Sequence, residues 1–495
     1  MHFSYIIAGA VFVLLCARIR RYLEIRAFKK ANNCEPPVRS PQSERILGWR
    51  AYKLMKKARD DHVALPESFN RAMKFGRTHT IIILGHEVIT TCDPECIKTI
   101  LATKFTDFGI GPRESAWGPL LGRGIFTTDG PSWQHSRALI RPGFTRSQVS
   151  DLETFETHVQ ALIKCLPTEN GVTVDLQPLF FNLTIDSATD FLLGHSVHTQ
   201  GSAPGTASQE FSEGFDYAAS FLHKREEVGK LAFLVGGRKF KEACANVHKF
   251  TDGYIHEALR GGNKVGRYNL LAELAEQSND PIQIRNELLN ILLAARDTTA
   301  GLLSSVFYLL SRNPEKWNKL NQEIEAMAGG QIPDYKVLKE MPYLKAVLNE
   351  TLRLFPPVPI NARYALKDTT LPRGGGPDGL SPMFVPKGAR MFYSVWALHR
   401  LPETWGNDAD TFRPERWLDE KNPLRPGWGY LPFNGGPRLC LGQQSALVET
   451  SYLIVRMLQT FERIEPRDPL PWKEHLAVTM SCQSGCKIAL WKRKD

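Results

Sequence analysis

Among nine cysteines, one stands where a metal ligand could be made. Cys440 follows a turn containing Gly435 and Gly436 and precedes an apolar run with helical spacing, Leu447 to Leu458. A helix N-terminus offers unpaired backbone N–H groups and the positive end of a dipole. A thiolate placed there is stabilised and can ligate a metal. Gly435, Gly436 and Gly442 permit a tight backbone and the close approach of a flat ligand, and Arg438 can pair with a carboxylate. The plainer reading is a buried cysteine beside a surface turn, and the spacing argues against it. Asp297 and Thr298 are the second pair of interest. They interrupt a long apolar helical stretch, Ile284 to Ser311, where an acid and a hydroxyl are costly unless used or paired. A helical Thr can also simply bond back to the i−4 carbonyl. Glu350 and Arg353 are three apart on another helical stretch and share a face, which by itself fits a surface ion pair. The chain has no CxxC pair. Cys92/Cys96 and Cys482/Cys486 lack nearby histidines and read as buried small hydrophobes rather than zinc ligands.

The pattern Phe433, Gly436, Arg438, Cys440, Gly442 resembles the haem-ligand loop of the cytochrome P450 family. The resemblance implies Cys440 as axial thiolate of a b-type haem, with Phe433 and Arg438 also against the cofactor. Other segments follow in the order that family requires. Trp133 and Arg137 look like its WxxxR helix, and Arg363 resembles a further arginine of the family, all three implied to bind haem propionates. Glu350, Arg353 and Arg416 would form its buried ionic triad, a structural role. Ala294 to Thr299 resembles its oxygen-activation motif, with Thr298 to hold dioxygen and Asp297 to relay protons. Ala294 stands where some fatty-acid hydroxylases attach haem through a glutamate, so non-covalent haem is expected.

Within that family the chain is similar to the fungal microsomal alkane and fatty-acid hydroxylases over segments 120–144, 180–194, 370–379 and 433–444. Departures lie at Ala295, Ala362 and Ser445, where that subgroup more often carries Gly, a bulky aromatic and Phe. The resemblance implies a monooxygenase that hydroxylates a hydrophobic substrate, a long-chain fatty acid or alkane at or near the chain end. An alternative keeps the chemistry and tailors a polyketide or lipid-like chain in fungal secondary metabolism. A haem-binding protein without turnover is a third reading, and the intact Asp297–Thr298 pair argues against it. No flavin or nicotinamide fingerprint is present, so the resemblance implies NADPH–cytochrome P450 reductase as electron donor.

The elements that must position these residues are mostly helices. Thr78 to Leu84 and Val88 to Thr91 predict a hairpin turning at Gly85-His86, and Asp93-Pro94 opens a helix. From Trp133 to about Phe355 the pattern is helical, with loops near 196–209 and 260–268. Short strands such as Arg390 to Val395 follow among turn clusters. Gly374, Gly375 and Gly376 lie between strand patterns and read as a hairpin loop, not a phosphate loop. Asn182-Leu183-Thr184 matches a glycosylation acceptor that a cytosolic body would leave unmodified. The expected fold is mainly α with small β-sheets, the cytochrome P450 fold, as a single large haem domain with an N-terminal membrane anchor.

The 495 residues carry 42% hydrophobic and 23% charged side chains, which excludes a wholly disordered or fibrous chain. A net charge of +10 suits an anionic partner, whether membrane surface, nucleic acid or acidic protein; no nucleic-acid role is expected. An odd set of cysteines without regular spacing argues for a reducing compartment. Phe3 to Ala17 carries no charge and is followed by Arg18, Arg20, Arg21, Arg26, Lys29 and Lys30. The run is slightly short of the roughly 20 residues that span a bilayer, and Ile19, Tyr22 and Leu23 could extend it while arginines snorkel. A cleaved signal peptide is the rival reading, but it would place charge before the apolar run. The expectation is a transmembrane anchor over 1–23, a basic Pro-rich linker over 24–44, and a catalytic domain over 45–495. The positive-inside rule would leave that domain cytosolic, on the endoplasmic reticulum membrane.

Overall fold

The structure is a computed structural model that describes residues 2–41, 47–145, 152–201, 205–260 and 268–493. Parts of the expected loops (202–204 and 261–267) and of the expected linker (42–44) lie outside the described residues. The fold is mainly helical with small sheets, and the chain groups into two compact units.

The smaller unit comprises Met1–Lys57, Pro66–Gly109 and Ala362–Ser394. Its five-stranded sheet runs in the order Thr78–Ile83, His86–Thr91, Arg390–Ser394, Ile360–Ala365, Phe108–Gly109. The first two strands form the predicted antiparallel hairpin, with Ile83 opposite His86. The turn is therefore Leu84-Gly85, one residue earlier than expected, and both residues have positive φ, as the twist of a two-residue hairpin demands. Asp93 caps the next helix, accepting from the N–H groups of Glu95 and Cys96 at 2.9 and 3.0 Å. Ala51, Ile81 and Val88 make a small core. Thr369–Gly375 and Ser381–Val385 pair as a second, antiparallel hairpin around the triple glycine.

The N-terminal segment differs from the expectation in two respects. One helix runs through His2–Ala31, so residues 24–31 are helical and not linker. The basic residues have good helix propensity and nothing in them breaks the turn. Among the described residues no helix is long and apolar enough to cross a membrane. The helix end is docked: Arg21 pairs with Asp368 at 2.6 Å, and Phe28 and Lys29 pack on the Phe384 ring. Beyond it, Glu35, Pro37 and Arg39 bridge to Met383, Gly375 and Thr80. The proline segment is thus tied to strands of its own unit.

The larger unit comprises Ala58–Leu65, Ile110–Asn361 and Val395–Asp495. Its axis is the helix Pro281–Arg312, started by Asp280, whose carboxylate accepts from the N–H of Ile282 at 2.9 Å. The helix is buried on nearly every face, although it carries polar residues such as Asn286, Glu287, Asn290 and Arg296. It packs against Leu176–Leu193, Gly237–Leu259, Pro342–Leu354 and Gln443–Thr460. The main core includes Phe180, Phe307, Trp317, Leu344 and Tyr452. A three-stranded sheet and the hairpin Glu474–Leu476/Met480–Cys482 complete the unit. The hairpin touches the long helix so closely that a Cβ at Gly301 would lie 2.9 Å from the carbonyl oxygen of Met480. Only glycine admits that approach without a shift.

Candidate active site

Cys440 sits in an irregular loop ahead of the helix Gln443–Thr460. The loop is closed by Leu439 N–H to the Gly436 carbonyl and Cys440 N–H to the Phe433 carbonyl, at 3.0 and 3.1 Å. Asn434 and Gly436 both take positive φ. The backbone at Gly435 lies so close to Trp428 that a Cβ would meet its ring at 2.8 Å. Gly442, by contrast, has ordinary space and φ −82, so the conformational freedom expected of it is not used. Cys440 is exposed, yet burial by surrounding protein pushes its thiol up. A group enclosed by protein but open on one side behaves in this way. The Gly442 backbone N–H and Arg137 act in the opposite sense and are outweighed.

Three of the predicted cofactor residues cluster beside this loop. Trp133 and Arg137 lie on Gly130–Ile140, Trp133 buried and Arg137 half-buried. Arg137 donates to the Leu439 carbonyl at 3.0 Å. Arg438 stacks on the Trp133 ring at 4.4 Å and pairs with Asp129 at 2.7 Å, while also donating to the Thr128 carbonyl. The carboxylate facing Arg438 is therefore one the chain itself provides. Asp129 also accepts from the N–H of Ile110 at 2.9 Å. Sequence reasoning missed Asp129, because nothing local marks an aspartate 309 residues away as the partner.

On the long helix the burial relaxes at four neighbouring residues. Ala294, Ala295, Asp297 and Thr298 are half-buried amid buried neighbours. Thr298 donates its hydroxyl to the Ala294 carbonyl at 2.6 Å, the i−4 bond that sequence alone left open. The oxygen keeps lone pairs to accept a further hydrogen bond, and it can donate elsewhere only by releasing that carbonyl. Asp297 accepts from Arg296 at 3.0 Å. Burial raises its carboxyl above the usual range, and the Arg296 guanidinium opposes that rise. Arg296 also pairs in a bidentate manner with Asp216 on Ala207–Ala219 and lies over the Phe181 ring at 5.1 Å.

Glu350, Arg353 and Arg416 are brought together as predicted and are all buried. Arg353 makes a two-pronged pair with Glu350 at 2.8 and 2.9 Å, and Arg416 reaches the same carboxylate at 2.9 Å. The indole N–H of Trp417 and the backbone N–H of Arg413 fill the remaining acceptor sites at 3.0 Å. A surface ion pair is excluded. His399 extends the cluster toward the cysteine loop: its Nε2 accepts from the N–H of Leu431 at 2.8 Å, and its Nδ1 meets the Arg353 carbonyl at 3.1 Å. Such a ring is neutral, and burial holds its pKa down to about 3. His399 had no sequence signal, since one histidine between a strand and a turn fits any pattern.

Arg363 belongs to the smaller unit. It is buried on the strand Ile360–Ala365, donates to the Ala362 carbonyl at 2.8 Å and lies over the Tyr393 ring.

Among the described residues no group of three or more His, Cys, Asp or Glu could hold a bare metal ion. A single sulfur ligand fits a metal that arrives with its own equatorial ligands. A half-open alanine face on the long helix suits a flat group, and Arg137 suits a carboxylate at its rim. The residues of the larger unit fit a haem. A comparison of the sequence with family models matches Cytochrome P450 over residues 52–484. The chain is 42% identical to Cytochrome P450 52A5 of Candida maltosa, covering 99% of this chain and 98% of that protein. It is 45% identical to Cytochrome P450 monooxygenase himC of Aspergillus japonicus, covering 92% and 84%. It is 44% identical to Cytochrome P450 monooxygenase fsdH of Fusarium heterosporum, covering 84% and 76%. Among solved structures, the cytochrome P450DA haem domain superimposes with a TM-score of 0.79 at 22% identity, covering 93% of this chain and 98% of that one.

Proposed function

The chain belongs to the cytochrome P450 family, monooxygenases whose haem b is held by a cysteine thiolate, and from that premise we propose that it hydroxylates a long-chain fatty acid or alkane at or near the chain end. The observation that carries the reading is that one unit holds the cysteine loop, the Trp133–Arg137 helix and a half-buried acid–alcohol pair in an apolar helix. The match to 52A5 over nearly the whole chain supports the substrate class, since the subgroup that the sequence resembles acts on alkanes and fatty acids.

In this reading Cys440 would hold the haem iron through its sulfur, and Trp133 and Arg137 would hold its propionates, with Phe433 and Arg438 shaping the loop. When bound, the haem supplies oxygen activation and stores the electrons for it. Asp297 holds a proton at its buried carboxyl and passes it inward, and Thr298 fixes the direction of that transfer through its hydroxyl oxygen. The Glu350–Arg353–Arg416 cluster, tied to Leu431 through His399, keeps the loop in register. Electrons come from NADPH–cytochrome P450 reductase, an acidic partner that the net charge of +10 suits. The apolar first half of the His2–Ala31 helix attaches the protein to the endoplasmic reticulum membrane, with the catalytic body in the cytosol.

The similarity to himC and fsdH, at identities no lower than that to 52A5, favours a second reading in which the same chemistry tailors a polyketide or lipid-like chain. A substrate-binding spectral screen separates the two. Long-chain fatty acids and alkanes should give the low-to-high-spin shift, with product hydroxylated near the chain end. A shift confined to polyketide chains would replace the first reading by the second.

A further inference from the structure

Arg296 holds two carboxylates with one guanidinium. Its pair with Asp216 is bidentate, with one arm at 2.8 Å, and the nitrogen that serves the other arm also donates to Asp297 at 3.0 Å. Arg296 is buried, and its Nε has no hydrogen-bond partner. Such a cation is expensive to keep unless its charge is fully used. Asp216 lies on Ala207–Ala219, and Asp297 on the long helix. The Asp216 side chain is 45% exposed on its free edge, although surrounding protein still desolvates it enough to raise its carboxyl.

Resting on the proton role of Asp297 given above, we propose that Asp216 is a positioning residue for that carboxylate: by drawing Arg296 toward the helix Ala207–Ala219, it keeps one positive charge divided between two acids. Asp297 is then left with a single shared N–H and can bind a proton. Were Asp216 neutral, Arg296 would belong to Asp297 alone and would hold it ionised. The electrostatic signs agree. Burial and the Asp216 charge both favour the protonated form of Asp297, and Arg296 disfavours it. Among the described residues the charged groups acting on Asp297 are these two. Glu213, a turn away on the Asp216 helix, acts on Asp216 in the same sense as burial. From Leu176–Leu193 the neighbour is the uncharged Phe181 ring. The arginine cannot itself carry the proton, because it never gives one up in water. It acts as a weight on the carboxylate beside it, and Asp216 sets how much of that weight is applied.

The test uses the holoenzyme, read two ways. Infrared difference spectra across pH follow the carboxylic-acid C=O band of Asp297, assigned by its loss in Asp297→Asn. In Asp216→Asn the midpoint of that band should move down by about one pH unit, a proton affinity about tenfold lower. Asp216→Glu, which restores the anion, should return it toward the wild-type value. The limb of coupled product formation that falls with rising pH should move down in step, with substrate affinity unchanged. Asp216→Asn keeps a hydrogen bond to Arg296, so the helix contact survives the change. A midpoint that does not move in Asp216→Asn, while Asp297→Asn is slow, overturns this inference and leaves the proton role standing. Wild-type product rates in Asp297→Asn would remove the proton role, and this inference with it.

Discussion

At the scale of single residues, the proposed chemistry would rest on groups that are enclosed by protein but open on one side. Cys440→Ala should abolish the thiolate-type carbon monoxide spectrum, because among the described residues no other cysteine lies in this loop. Retention of that spectrum would move the ligand elsewhere. Acidified solvent should extract the haem, since Ala294 offers no carboxylate for attachment. Thr298→Ala should slow product formation more than NADPH consumption, with peroxide rising to match. Proton-delivering groups contribute roughly 10²–10⁴-fold, and water can replace part of that, so a partial loss is expected. The measurement is product formed per NADPH oxidised, and equal ratios in mutant and wild type would reject the role. The i−4 bond of Thr298 to Ala294 makes the hydroxyl an acceptor first, so Thr298→Ser should retain most of the coupling. Cys440 was legible in the sequence because its turn and helix are contiguous with it. The Asp129 partner of Arg438 was not, because its only cue is spatial.

At the scale of elements, the proposed reading makes the buried cluster around Glu350 the anchor of the cysteine loop. Its carboxylate accepts from two arginines, an indole and a backbone N–H. Removing one member of such a cluster leaves an uncompensated buried charge, at about 3–5 kcal/mol. Glu350→Ala should therefore lower the thermal midpoint and haem retention together. Arg353→Lys should do much the same, because an ammonium cannot replace the two-pronged pair. A thermal scan with absorbance at the haem band checks both, and a stable, haem-loaded Glu350→Ala protein would deny the cluster its role. His399 gives a pH dependence. Its folded-state pKa, about 3, lies below the unfolded value of 6.5, so the unfolded chain binds the extra proton first. The stability this group contributes is complete above pH 6.5 and is lost as pH falls from there toward pH 3. Chemical denaturation at several pH values in that window should show the decline, and His399→Gln should flatten it. The sequence made the cap at Asp93 legible, because an acid before a proline has a local meaning. It could not show that one histidine joins the Glu350 cluster to Leu431, since that link depends on three segments meeting in space.

At the scale of the whole molecule, the mainly helical fold with small sheets was legible from periodicity and turn residues, and the match to the P450DA haem domain agrees with it. The extent of the first helix was not legible. A basic cluster followed by prolines reads as a linker, whereas helix propensity carries the turns on to Ala31 and contacts with Asp368 and Phe384 hold the end. Deletion of residues 1–17 should release much of the protein from microsomes with its haem spectrum intact. Deletion of 1–30 should release it as well, but with faster proteolysis at the hairpin Thr369–Val385, which loses its cover. A 1–17 deletion that stays wholly with the membrane would mean a second strong attachment on the body. The docked helix end also changes what kind of attachment the proposed anchor is. With residues 3–17 in lipid, a flexible tether would let the body swing in every direction, whereas a stem clamped at Arg21 and Phe28 behaves as a keel. The unit it clamps could turn about the membrane normal but could not roll. Its meetings with a reductase anchored in the same membrane would then be a search over one angle in two dimensions.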